Sequence, residues 1–154
     1  MMRRALMAMV VAAVLVAGAF AQGAMVGTDE FVGSVTMGYT VKDLATMAGT
    51  GNPDATAVLA GKAIVLFGSL SRPMVTQEEP FEAVVELLEG EWVDEATVAL
   101  HRVYLVLRGE AFREFIEGIK GMRALAIATE ATLGTAPDGS PAVYLVVVAI
   151  RTIR

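Results

Sequence analysis

Cysteine is absent from this 154-residue chain. That removes thiol nucleophiles, disulfide exchange and cysteine-ligated metals together. There is one histidine, His101, so no site can use two imidazole ligands. No GxSxG elbow occurs, since Gly68-Ser69-Leu70-Ser71 has no second glycine in place. Gly49-Thr50-Gly51-Asn52 neither follows a strand nor continues as GxGxxG, and no P-loop exists. The acids between Glu78 and Glu95 lack the Asp/Asn alternation and central glycine of a calcium loop. No cofactor and no metal is implied. Beyond residue 21 there is no long apolar run.

Basic residues are also scarce, 12 against 17 acids. Eight of the acids lie between Glu78 and Glu95. Phosphate neutralisation drives most nucleic-acid affinity, so the net negative charge disfavours a DNA or RNA partner.

The first residues have a definite pattern. Arg3 and Arg4 precede an apolar stretch from Ala5 to Ala21, which ends in Ala19-Phe20-Ala21. A positive front, an apolar centre and a small-x-small site make a secretory signal peptide over 1–21. The expected location is therefore exported, periplasmic or extracellular, with no transmembrane segment after cleavage. The alternative is an uncleaved N-terminal membrane anchor. An exported chain without disulfides relies on packing alone.

Residues 22–39 are rich in glycine and small side chains. They are expected to form a flexible arm with a short extended piece near 31–39. A single domain then spans 40–154. Thr40-Val41-Lys42-Asp43 has the form of a capping box, and Val41, Leu44, Ala45 and Ala48 supply an apolar helix face. A second short helix is expected over 54–60. Gly61 to Leu70 reads as a strand, with Ile64, Leu66, Gly68 and Leu70 on one face. On the other face, Val65 and Phe67 are expected to meet the short helices. Thr97 to Arg108, Met122 to Leu133 and Ala142 to Ile153 also read as strands. The last two join through Asp138-Gly139, a hairpin signal. Glu110 to Lys120 is expected to be helical, with Phe112, Phe115, Ile116 and Ile119 on one face.

Residues 76–95 admit two readings. Phe81, Val84, Val85 and Leu88 fit a helical face behind a Thr76/Glu79 capping box. Phe81, Ala83, Val85 and Leu87 equally fit one face of a strand. The strand reading makes the order β-β-β-α-β-β, that of a five-stranded OB barrel preceded by short helices. The helical reading, over 77–89, makes an open α+β antiparallel sheet.

Gly61-Lys62, Ile64, Leu66, Gly68 and Leu70 form a "GK-apolar-x-apolar-x-G-x-apolar" first strand. On that pattern, residues 40–154 resemble small exported bacterial OB-fold proteins. The resemblance implies a β-rich barrel and carries no catalytic or ligand signature. Three residues are candidates for ligand contact: Trp92, the one tryptophan, set among acids; His101; and Arg102. For Trp92 core packing is the ordinary expectation, and for His101 a plain strand position. The functional expectation is an exported, non-enzymatic binding or assembly module of the cell envelope, with an unknown protein or small-molecule ligand. The alternative is a small periplasmic α+β enzyme using carboxylates of the 78–95 region. It requires two of those carboxylates to converge in a cleft.

Overall fold

A computed structural model describes residues 25–27, 34–51, 57 and 59–153. The leader expected over 1–21 lies outside them, as does most of the second short helix expected over 54–60. Two short strands, β1 (Val26–Gly27) and β2 (Ser34–Thr36), precede helix α1 (Val41–Thr50). Then come β3 (Lys62–Leu70), β4 (Met74–Gln77), β5 (Glu82–Trp92), β6 (Val98–Arg108), β7 (Arg123–Thr135) and β8 (Pro141–Ile153).

Five of these strands close a ring. β3 pairs with β5, β5 with β6, β6 with β8, β8 with β7, and β7 with β3. All pairs are antiparallel except β6 with β8, which is parallel. This is the five-stranded Greek-key barrel of the OB fold. The open α+β alternative is excluded, because residues 82–92 are strand throughout. Burial of Phe81, Ala83, Val85 and Leu87 on one face decides the matter. The helical face would have needed Val84 and Leu88 inside as well, and both are only half-buried.

Ile64, Leu66 and Leu70 of β3 face the core as the alternation predicts. Each large side chain fully buried here is worth roughly 1.5–3 kcal/mol against exposure. Gly68 has a specific reason to be glycine. A Cβ there would lie 2.6 Å from the Leu88 carbonyl oxygen, where β3 leaves β7 and meets β5. Phe67 departs from expectation. Its ring is exposed and lies under the Arg123 guanidinium, 4.4 Å from the centroid. On the opposite side of the ring, β7 carries register shifts against β8, with Glu130 at φ 49. Such bulges let a strand turn sharply around a barrel.

Helix α1 starts as its sequence predicts. The Thr40 hydroxyl accepts from the Asp43 N–H at 3.1 Å, and the Asp43 carboxylate accepts from the Thr40 N–H at 2.8 Å. Gly51 ends the helix in a left-handed conformation. Val41, Leu44 and Ala48 join the barrel core, with the helix against β6 and β8.

Two segments differ from the sequence reading. Met74–Gln77 is an edge strand on β5, not the start of a helix. The Thr76 hydroxyl bonds Glu82 across the pair instead of capping. Residues 110–120 form a 3-10 turn (Glu110–Phe112) followed by turns, not a helix. Gly118 and Gly121, both at positive φ, interrupt it. Phe112 and Ile119 are each drawn into the core. The apolar plug is present, built by turns.

Candidate functional site

The β5–β6 register sorts the side chains into two faces. On the outer face the opposed pairs are Glu82/Arg108, Val84/Val106, Glu86/Tyr104, Leu88/Arg102, Gly90/Leu100 and Trp92/Val98. Glu89/His101 and Glu91/Ala99 lie on the other face. The register therefore puts Trp92 and Arg102 on one surface and His101 on the opposite one.

His101 belongs to a bracket beneath the hairpin. Its Nε2 lies 3.2 Å from Glu91 Oε2. The Lys42 ammonium bonds Glu91 Oε1 at 2.7 Å, and the Lys42 backbone N–H donates to Glu89 Oε2 at 3.0 Å. The Glu91 carboxyl is held below the ordinary carboxylate range, first by Lys42 and then by His101. The arrangement ties α1 to the hairpin.

On the outer face, the far end of the hairpin is apolar and open. Trp92 is 72% exposed and Leu100 70%. Val98 and Val93 are also exposed. Gly90 makes the strip continuous: the Val98 and Leu100 side chains lie 3.4 and 3.8 Å from where its Cβ would stand. Core packing of Trp92 is thus corrected. Its alternation places it outward, at the far end of the β5–β6 pairing. Asp94 and Glu95 line a shallow depression beside the indole. The Asp94 carboxylate accepts from the Ala96 and Thr97 N–H groups, both at 2.8 Å, and so fixes the tip.

Nearer the barrel the same face turns polar and filled. Tyr104 is buried beneath Val84, Ala136, Ala142 and Tyr144, and its hydroxyl donates to Glu86 Oε1 at 3.0 Å. Burial, and then that bond, push its pKa up to about 12. Arg102 reaches Asp138 and Ser140 of the β7–β8 turn and lies 3.7 Å from Glu86. Arg108 Nε donates to Glu82 Oε2 at 2.9 Å.

The acids of the 78–95 region do not converge. Glu78 pairs with Arg113, Glu82 with Arg108, Glu86 with Arg102, and Glu91 with Lys42. Among the described residues no group of three or more acids or histidines is poised to hold a metal ion. The carboxylate enzyme falls with the cleft it required. Val98, Leu100 and Asp138 are the residues sequence reasoning passed over. The signal for the first two was apolar side chains on both parities of a strand that needed only one buried face.

No protein-family model matches the chain, and no curated protein does. Solved structures similar to it include single-stranded DNA-binding proteins. The Plasmodium falciparum protein in complex with single-stranded DNA is 15% identical, with 60% of this chain and 94% of that one covered and a TM-score of 0.45. A small Streptomyces coelicolor protein is 11% identical, with 59% and 93% covered and a TM-score of 0.42. The mitochondrial protein Rim1 of Saccharomyces cerevisiae is 13% identical, with 60% and 94% covered and a TM-score of 0.42. The expectation of a cell-envelope module for which nucleic acid is a disfavoured partner is at odds with these and is withdrawn. Its physical weakness is plain in the fold. Net charge is a sum over the whole chain and does not describe one face: on the outer face of β5 and β6, Glu82 and Glu86 are balanced by Arg108 and Arg102.

Proposed function

We propose that this OB-fold protein is a non-enzymatic binder that takes single-stranded nucleic acid across the outer face of β5 and β6. These are the second and third barrel strands, whose outer face OB barrels use for oligonucleotides. The ligand class comes from that analogy of fold. The observation that carries the reading is the open strip of Trp92, Val98 and Leu100. An indole 72% exposed offers a platform on which any base can stack, worth about 1–3 kcal/mol per base. Arg102 and Arg108 share the face and supply its cations.

Because Trp92 is the one tryptophan, selectively excited tryptophan fluorescence reports on this site alone. Titration with oligothymidylate at low salt should quench it. Trp92→Ala should weaken binding of a labelled oligonucleotide, read by anisotropy, about thirtyfold, the middle of the range for one stacked base. Unchanged fluorescence together with unchanged anisotropy at low salt would overturn the reading.

A further inference from the structure

Arg102 sits immediately inward of the apolar strip, opposite Leu88 and one outward position from Leu100. It is not free. Its Nη2 donates to Asp138 Oδ2 and, at 3.0 Å, to Ser140 Oγ. The β7–β8 turn therefore reaches back across the outer face and offers the guanidinium two oxygens side by side. A phosphodiester offers a guanidinium the same kind of paired oxygens.

The turn does not need Arg102 for its shape. The Ser140 N–H and hydroxyl donate to Asp138 Oδ1 at 3.0 and 2.6 Å. The Ala136 N–H donates to the Ser140 carbonyl at 2.8 Å, and the Gly139 N–H to the Ala136 carbonyl at 2.9 Å. Glu86 lies on the other side of the guanidinium and also holds the Tyr104 hydroxyl. Release of Asp138 would thus leave Arg102 on the face and the turn intact.

Resting on the nucleic-acid reading above, we propose that Arg102 is a phosphate contact occupied in the free protein by Asp138, which acts as an internal surrogate for the ligand's backbone. The pair is half-exposed, and exposed pairs are worth little. A phosphate arriving beside a base stacked on the strip can therefore displace the carboxylate. The turn sets a threshold: a ligand must engage the strip and Arg102 together to gain both contacts.

The test is a four-protein comparison with labelled oligothymidylate across a salt series. The proteins are the wild type, Asp138→Asn, Arg102→Gln/Asp138→Asn and Glu117→Gln. Asparagine keeps the Oδ1 acceptor and suits an Asx-Gly turn, so the fold is retained. Asp138→Asn should bind about two- to fivefold tighter, the worth of one exposed ion pair. Its salt dependence should steepen by up to about 0.7, the increment for one phosphate of a single strand. The gain should vanish when Arg102 is also replaced. Glu117→Gln removes the same charge from an exposed position in the connection between β6 and β7 and should leave affinity and slope unchanged. Wild-type binding with no gain in Asp138→Asn overturns the proposal and leaves the ligand reading standing. So does a gain that survives loss of Arg102, or one that Glu117→Gln reproduces. Absence of binding in all four proteins overturns the ligand reading and this proposal with it.

Discussion

Tyr104 and Tyr144 stack with ring centroids 4.9 Å apart and planes inclined by 21°, and they stand directly opposite each other on the parallel strands β6 and β8. The stack depends on a third residue. Gly134 of β7 leaves room for the Tyr144 ring, whose hydroxyl donates to the Thr135 carbonyl at 2.8 Å. A Cβ at 134 would lie 2.8 Å from Tyr144 Cε2. Gly134→Ala should therefore displace the ring and cost about 1–3 kcal/mol, typical of overpacking, measured by urea unfolding.

The buried phenol is open to direct titration. The chain has three tyrosines, and Tyr104 should ionise at about 12. Phenolate absorbance should show this late step and lose it in Tyr104→Phe. Glu86→Gln should move the step to lower pH, because the carboxylate's charge and hydrogen bond oppose ionisation.

Gly68→Ala tests the closure of the barrel. The obstacle is backbone, the Leu88 carbonyl at 2.6 Å, and cannot rotate away. The loss should reach about 3 kcal/mol, the upper end for small-to-large changes. A loss no greater than that of Gly134→Ala would show that the two strands separate easily at this point.

Acid should weaken the fold through a small set of pairs. Glu82 is held below its ordinary value first by Arg108, Glu91 first by Lys42, and Asp138 first by the Ser140 hydroxyl and then by Arg102. Each is more acidic folded than unfolded. Their contribution is complete above the unfolded carboxylate range, about pH 4–4.5, and is lost as pH falls through the lowered values. The melting temperature should hold from neutral pH to about 5 and decline below about 4. Glu82→Gln should make that decline shallower.

A strand was readable where its apolar residues fit no helical spacing, and ambiguous where they fit both. The short, β-branched run of Ile64, Val65, Leu66 and Phe67 declared β3 a strand, although both its faces are apolar. Phe81 to Leu88 did not, because their apolar residues satisfy a helical spacing and a strand spacing at once. Pairing with β6 settles it, and no local signal anticipates a partner fourteen or more residues away. Glu110 to Lys120 failed in the opposite sense. Its helical pattern is real, but burial of Phe112 and Ile119 from a connection bounded by Gly109 and Gly121 is met by turns.

The candidate surface was legible only in part. Trp92 and Arg102 were visible as residue types, yet an indole next to a strand end is usually covered. Its exposure follows from the length of the β5–β6 hairpin, which carries the pairing out to Trp92 and Val98. The Arg102–Asp138 pair spans 36 positions. It exists because the parallel β6–β8 pairing brings the turn across the face, a relationship that resides in topology and not in any short stretch.

The same parallel pairing dictates an order of events during synthesis. β8 lies between β6 and β7 and is the last barrel strand to leave the ribosome. Until it emerges, β6 and β7 each present an unpaired edge, the kind that recruits other chains. Only short-range pairing, β4 with β5 and β5 with β6, can form early; closure waits for contacts of long sequence separation, which form slowly. A nascent chain halted at the Asp138 turn would be a curled sheet with a gap one strand wide, and its first suitable occupant would be the missing strand of a neighbour.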